Sequence, residues 1–368
     1  MTRDSLRVLM TADAVGGVWQ YATDLARGLA DNDCHVTLAV MGPSPSIAQR
    51  AAAEALGIEL VDTGLDLDWL APDATAILRA GDMMADLAAR LDADVVHLNA
   101  PTLAAEALFD APVVAVAHSC VATWWDAVRG HTLPDDFVWR TSLMQAGLAA
   151  ADRVVAPSAA FADAVRRRYM LKDRPRVVHN GRAPLPLPVR PMHDFAFTAG
   201  RLWDEGKNMR VLDRAAARLA VPLRAAGPVA GPNGAGIELL HAHPLGTLDD
   251  KGLAHWLAAK PVFVSAARYE PFGLAVLEAA AAGCPLVLSD IPTFRELWDG
   301  AAIFVDADDD AGFVDAIGTL IGDTAERLMA GQVARRRAER FTPAAMTAGM
   351  ASIYRDLVAV TAKPRVAA

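Results

Sequence analysis

Two glutamates, two cations and the glycines between them carry most of the chemistry available to this sequence. Glu270 opens the string Glu270-Pro271-Phe272-Gly273-Leu274, and Glu278 follows, ahead of Ala282-Gly283-Cys284-Pro285. Pro271 and Gly273 keep the chain irregular after the apolar run Pro261–Ser265, and a helix is expected over Leu274–Ala282. The first N–H groups of such a helix have no partner within it, so its start favours an anion. A carboxylate in the loop and a second just over one turn inside the helix reach different parts of one ligand. Each accepts hydrogen bonds from hydroxyl groups. Upstream, Gly200-Arg201-Leu202 and then Glu205-Gly206-Lys207-Asn208 bring Arg201 and Lys207 to the end of another expected strand. Fixed cations there stabilise a diphosphate leaving group, whose charge grows as the bond to it breaks. Taken singly, these segments also have plain readings: a helix-capping Glu270, an exposed Glu278, a surface arginine and lysine.

The N-terminal half offers fewer chemical groups. Gly16-Gly17 stands between the first expected strand and helix, where two glycines admit a ligand close to the backbone or simply make a turn. It is not a dinucleotide fingerprint, because the G-x-G-x-x-G spacing is missing. His118 directly follows an expected strand, a place where a lone histidine is more often structural. Ser119 and Trp124-Trp125 suit either a sugar acceptor or packing, and Asn180-Gly181 is explained by a turn.

Together these segments resemble the donor-binding signature of the retaining GT-B glycosyltransferases of family four (group one type). The resemblance is most specific from Gly200 to Glu296 and looser in the N-terminal half. It implies that Glu270 meets the donor sugar near the reacting carbon and that Glu278 holds the ribose hydroxyls. The backbone at Gly273 and Leu274 would meet the phosphates, and Arg201 and Lys207 the diphosphate. It further implies that Gly16 and Gly17 approach the donor phosphates or the acceptor, and that His118 meets the donor sugar. Leu245-Gly246-Thr247-Leu248 resembles a turn whose backbone reads the nucleobase, which adds Leu248 to the donor residues. Ala226-Gly227 resembles a glycine turn, and Asp290 to Glu296 resembles the loop after the next strand. The implied catalytic set is Glu270, His118, Arg201 and Lys207. The implied reaction moves a sugar from a nucleotide diphosphate sugar to an acceptor hydroxyl with retention at the anomeric carbon. The acceptor class stays open between a sugar, a lipid-linked glycan and a small molecule. A GT-B nucleotide-sugar epimerase, a sugar phosphorylase carrying pyridoxal phosphate and a non-catalytic nucleotide-sugar binder are the alternatives.

The elements that must position these residues alternate. Apolar runs at Leu6–Thr11, His35–Met41, Asp94–Leu98, Pro112–Ala117, Arg153–Ala156 and Arg176–His179 read as strands, with a helix over Val18–Ala30. Pro184, Pro186, Pro188 and Pro191 then forbid a helix or a central strand and make a stiff connector. Alternation resumes with strands at Phe195–Ala199, Leu223–Ala226, Pro261–Ser265, Pro285–Ser289 and Ala302–Val305 and a helix over Met209–Leu219. The expected architecture is α/β of GT-B type, two Rossmann-like domains facing across a cleft. The first spans residues 1–185 on the acceptor side and the second 192–345 on the donor side. A C-terminal helix and tail, 346–368, would pack back on the first.

Bulk properties narrow the function classes. The 368 residues suffice for two domains, and 53% hydrophobic residues allow large cores. A net charge of −9 weighs against a nucleic-acid partner. Cys34, Cys120 and Cys284 stand at no metal or redox spacing, which fits reduced thiols in a cytoplasmic protein. No signal-peptide pattern precedes Leu6, and no apolar stretch reaches membrane-spanning length. A peripheral membrane contact stays open, and the basic run Arg335-Arg336-Arg337 with Arg340 is read as a solvated helix face or an acidic-phospholipid contact. The pairs Asp66/Asp68, Asp92/Asp94 and Asp306/Asp308 match a metal-binding D-x-D by chance, away from the phosphate segments. His241 and His243 read as a polar loop. Arg201 and Lys207 would replace a metal's charge, so no metal and no cofactor are expected.

Overall fold

The computed structural model describes residues 5–361. Residues 1–4, where the chain-start reading falls, and 362–368 of the expected tail lie outside the described residues. The chain divides into two compact units. Within the described residues, one takes the chain up to Asp126, then His131–Gly181 and the stretch from Pro343. The other takes Ala127–Gly130 and Arg182–Thr342.

The first unit holds a seven-stranded sheet of β1 (Leu6–Asp13), β2 (Cys34–Met41), β3 (Glu59–Asp62), β4 (Val95–Leu98), β5 (Val113–Val116), β6 (Arg153–Ala156) and β7 (Arg176–Val177). The strand order is β3-β2-β1-β4-β5-β6-β7, with every pair parallel. Alternate side chains enter opposite cores, as strand geometry requires. Val8, Met10 and Ala12 of β1 face one cluster, and Leu9 faces the other. The first helix, Gly17–Ala30, lays Tyr21, Leu25 and Leu29 on the first of these faces. Met346, Met350, Ile353 and Tyr354 of the last helix, Pro343–Thr361, join the same cluster.

The second unit holds six strands: β8 (Ala196–Ala199), β9 (Leu223–Ala226), β10 (His243–Gly246), β11 (Val262–Ser265), β12 (Leu286–Ser289) and β13 (Ile303–Val305). Their order is β10-β9-β8-β11-β12-β13, again all parallel. Both sheets therefore reverse direction beside their first strand, the doubly wound arrangement of Rossmann-like domains. Two sequence expectations are corrected here. His243 and Leu245-Gly246 lie on edge strand β10, not in a loop or turn, because Pro244 and Gly246 are tolerated at an edge where, among the described residues, β9 alone pairs with the strand. Pro292–Trp298 is a helix, so only Asp290 and Ile291 form the loop expected up to Glu296. Pro at the first helical position starts it.

The proline-rich connector is free of helix and strand from residue 178 to 195. It is nonetheless pinned within the second unit. The buried Arg327 donates to the His193 carbonyl at 2.6 Å and to Asp194 at 2.7 Å. Arg335 and Arg336 are exposed on the helix Thr324–Ala338, whereas Arg337 donates to the carbonyls of Leu297 (3.0 Å) and Asp299 (2.6 Å).

His97 of β4 is fully buried and its Nδ1 hydrogen-bonds with the Tyr354 hydroxyl, tying the last helix to the sheet. Burial pushes its imidazole down to about 4. The unfolded value is about 6.5. Between the two, the unfolded chain binds the extra proton, so stability rises with pH and is lost on acidification. The urea midpoint of the first unit is expected to fall as pH drops from about 6.5 towards 4, and less so in His97→Gln. Equal slopes in the two proteins would refute the assignment.

Candidate functional site

In doubly wound sheets a crevice opens at the carboxyl ends of the strands, where the order reverses. In the second unit this point lies between β8 and β11, and both signature segments leave from it. After β8, Gly200 donates to the Ala226 carbonyl at 3.0 Å. A Cβ at Gly227 would lie 1.7 Å from the Gly200 carbonyl oxygen, so that close approach demands glycine. Asp204 then organises the loop: it accepts from the Gly206 N–H at 2.8 Å and from Arg201 Nη2 at 3.0 Å. The short 3-10 turn Glu205–Lys207 ends at a left-handed Asn208, held by its Nδ2 on the Ala307 carbonyl at 2.7 Å.

The loop after β11 is stitched to this turn. The Gly206 carbonyl accepts the N–H groups of Arg268 (2.9 Å) and Tyr269 (3.3 Å). That contact sets Lys207 against Glu270, and their side chains form a half-buried ion pair. Gly200, Ser265, Ala275 and Val276 line the same pocket. Gly273 caps the helix Leu274–Ala281 at φ 94°, a left-handed value that strains other residues, and no side chain caps the helix start. Leu274 and its neighbours thus offer a bare N-terminus beside the Lys207–Glu270 pair.

Glu278, 12% exposed, faces a different partner. Arg182 Nε donates to its Oε1 at 2.9 Å, and Arg182 Nη2 meets both Asp250 carboxylate oxygens at 3.0 and 3.1 Å. Arg182 was missed by sequence reasoning. Its only signal was a charged residue between an apolar strand and a proline-dense segment. Leu248 is half-buried ahead of Asp249, which caps the helix Asp250–Ala258. Asp290 pairs with Arg295 through two contacts of 2.6 Å, and that hydrogen bonding holds its carboxyl below the usual range.

The first unit carries the remaining expected residues at the carboxyl ends of its own strands. Gly16 and Gly17 are exposed at the start of the first helix, without a side-chain cap. Gly16 is extended, and a Cβ there would meet nothing, so neither strain nor crowding explains glycine. His118, after β5, packs edge-on against Tyr21 with ring centroids 4.5 Å apart and joins Nε2 to Asn99 Oδ1 at 2.7 Å. Trp124 and Trp125 are half-buried on the helix Val121–Val128, where Trp125 packs on Phe137 and His131. Ser119 is exposed, and Asn180 is buried next to Gly181, whose N–H points at Met346 Sδ.

The three D-x-D pairs have protein partners: Asp68 with Thr102, Asp92 and Asp94 with Arg7, Asp308 with Arg268. Among the described residues no group of three or more His, Cys, Asp or Glu is placed to hold a metal ion. Cys34, Cys120 and Cys284 form no disulfide.

Removing one partner of a buried ion pair strands the other charge, whereas removing both costs less. Arg182→Met is expected to lower the stability of the second unit by about 3 kcal/mol, and the double variant Arg182→Met/Glu278→Leu by clearly less. Urea unfolding of the four proteins in the cycle measures this. Strictly additive losses would show that the two side chains do not depend on each other.

Comparison with known proteins supports this organisation. The Glycosyltransferase Family 4 description matches residues 15–183, and the Glycosyl transferases group 1 description matches residues 194–323. The lipopolysaccharide core biosynthesis mannosyltransferase LpsB of Rhizobium meliloti is 33% identical over 109 residues, 28% of this chain and 31% of that protein. The D-inositol 3-phosphate glycosyltransferase of Xylanimonas cellulosilytica is 31% identical over 114 residues, 30% of this chain and 27% of that protein. Among solved structures, sucrose-phosphate synthase from Thermosynechococcus elongatus superposes with a TM-score of 0.77 at 18% identity, covering 97% of this chain and 100% of that one. Anabaena HepE in complex with UDP-glucose gives a TM-score of 0.73 at 20% identity, covering 96% and 100%. With a family-4 half, a group-1 half and the GT-B fold in both sheets, the chain belongs to the GT-B glycosyltransferases of family four, group one type.

Proposed function

We propose that this chain transfers a sugar from a nucleotide diphosphate sugar to an acceptor hydroxyl, with retention of configuration at the anomeric carbon. The observation that carries the reading is the Lys207–Glu270 ion pair at the β8/β11 switch point, beside the uncapped helix start at Gly273 and Leu274. One carboxylate and one ammonium lining a pocket, with the N–H groups of a helix start beside them, match a sugar joined to a diphosphate. HepE, whose structure holds UDP-glucose, shares this fold and makes a uridine donor the first to test.

In this reading Lys207 and Arg201 face the diphosphate, and the N–H groups at Gly273 and Leu274 take its phosphate oxygens. Glu278, oriented by Arg182, accepts from the ribose hydroxyls. The Leu248 segment meets the base, Gly16 and Gly17 give bare backbone to the donor or acceptor, and His118 meets the sugar. The bond between the anomeric carbon and the diphosphate oxygen breaks, and its electron pair leaves with the diphosphate. The acceptor oxygen bonds to the same face of that carbon, and its proton passes to the departing phosphate. Glu270 steadies the positive charge that develops at the carbon. Arg201 and Lys207 carry the counter-charge that a divalent ion supplies in other transferases, so the reaction is metal-independent and needs no further cofactor. The acceptor is a sugar, a lipid-linked glycan or a small molecule, and three cysteines outside any disulfide suit the cytoplasm.

Turnover is expected with a nucleotide-sugar donor in the presence of chelator, and NMR of the product is expected to show the donor's anomeric configuration. Glu270→Ala and Lys207→Ala should each lower kcat by about 10²–10³-fold while circular dichroism at the assay temperature shows the parent's fold. Near-parent rates in both variants would remove the site assignment. An inverted product would remove retention, and a changed sugar from donor alone would favour an epimerase.

A further inference from the structure

Four polar side chains form a chain that ends at His118, in the core of the first unit, and no step of the proposed reaction uses the other three. They come from separate parts of the chain: His97 on β4, Asn99 just after it, His118 after β5 and Tyr354 on the last helix. His97 and Tyr354 are fully buried. Buried polar groups are costly unless every donor meets an acceptor, so the proton positions are decided by the partners.

The chain of assignments begins at Thr11. Its carbonyl oxygen can only accept, and it lies 2.6 Å from Asn99 Nδ2. The Asn99 amide therefore turns its N–H₂ to Thr11 and its oxygen to the two imidazoles. The Asn99 N–H donates to Thr11 Oγ1 at 2.8 Å, which anchors the same residue by its backbone. Asn99 Oδ1 lies 2.7 Å from His118 Nε2 and 3.0 Å from His97 Nε2. An oxygen accepts only, so both Nε2 atoms carry protons. In His97 that leaves Nδ1 as the acceptor, and the Tyr354 hydroxyl donates to it. In His118 it leaves Nδ1 with a lone pair and with no hydrogen-bond partner among the described residues.

We propose that Asn99 is a positioning residue that fixes His118 as the Nε2–H tautomer, so that Nδ1 is offered as a hydrogen-bond acceptor, and that Tyr354 locks this arrangement through His97. The assignment of a ligand hydroxyl to Nδ1 rests on the transferase reading above. The proton arrangement does not. A hydroxyl of the sugar donates to Nδ1, and an imidazolium could not accept it. The surroundings favour the same state: burial, then the neighbouring His97, push the His118 imidazole down to about 3. The titratable groups packed about this cluster are Tyr21 on the first helix, Tyr354 on the last, and Cys34 beside Tyr354. Burial pushes both tyrosines up, so they stay neutral as well. His118 is in this account a reader of a hydroxyl group and not a proton shuttle.

The first measurement uses the full chain without substitution. Long-range ¹⁵N–¹H NMR of the histidine rings, with His118→Gln for assignment, is expected to show His118 as the neutral Nε2–H form between pH 5.5 and 8. A neutral Nδ1–H form, or a His118 that titrates near pH 6.5, overturns the proposal even if no variant folds. Asn99→Asp is the second measurement. A carboxylate in place of the amide pairs with an imidazolium, so His118 should begin to titrate inside this window. The kcat/KM for donor, flat over this range in the parent with respect to His118, should then rise with pH at the same midpoint. Tyr354→Phe should shift the His97 signals and perturb those of His118 less. An Asn99→Asp protein whose His118 spectrum matches the parent overturns the positioning role. If the spectra change as expected and the pH profile does not, the tautomer assignment stands and the contact between His118 and the sugar is refuted.

Discussion

The order reversal in each parallel sheet is the constraint on which the rest of the molecule depends. Neighbouring strands at that point send their following loops to opposite faces, which leaves the strand ends uncovered. In the second unit the loops after β8 and β11 flank the gap, and a single carbonyl, that of Gly206, accepts two N–H groups from across it. This backbone contact sets the spacing of the two loops. Lys207 and Glu270 then meet as a consequence, because each stands one residue from a tied position. The first unit repeats the plan with Gly16 after β1 and Asn99 after β4. One topological rule thus places polar groups at corresponding points of both sheets.

Much of this was legible along the chain. Strands β6 and β9 coincide with their expected limits, Arg153–Ala156 and Leu223–Ala226, because each is a four-residue, mostly apolar segment with a single arginine. Edge strands lack that signature. β3 (Glu59–Asp62) is four residues long with Glu59 and Asp62 exposed at its two ends, and β10 contains Pro244 and Gly246, so neither reads as a strand in isolation. The Gly200–Lys207 and Glu270–Glu278 segments were visible because a glycine, a charge and a helix start within ten residues form a local pattern. The partners of those residues were not. Arg182 meets Glu278 across 96 positions, and Tyr354 meets His97 across 257. No short-range pattern encodes such pairs, since tertiary packing alone brings them together.

Buried arginines recur where the chain has least regular structure. The connector after Gly181 contains four prolines and neither helix nor strand, so its backbone polar groups have no ladder to join. Arg182 at its start is held by Glu278 and Asp250, and Arg327 grips the His193 carbonyl and Asp194 at its end. A guanidinium presents several donors in a fixed plane, which suits this task better than an ammonium would. The stiffness read from proline content is therefore supplemented by anchorage at both ends within one unit. Because Arg182 also orients Glu278, the start of the connector and the helix Leu274–Ala281 share a side-chain contact.

The last helix has a consequence for how the polypeptide is made. Met346, Met350 and Tyr354 complete an apolar face begun by Val8, Met10 and Leu25, yet more than three hundred positions separate the two sets. A ribosome delivers the early residues first, and domains generally fold as they emerge. Here the amino-terminal lobe cannot close its interior until residues 182–342 have been synthesised and the final stretch has followed them out. The carboxyl-terminal lobe, contiguous apart from Ala127–Gly130, has no such wait. Late completion of the earlier-made half is the assembly order that this topology imposes on the nascent chain.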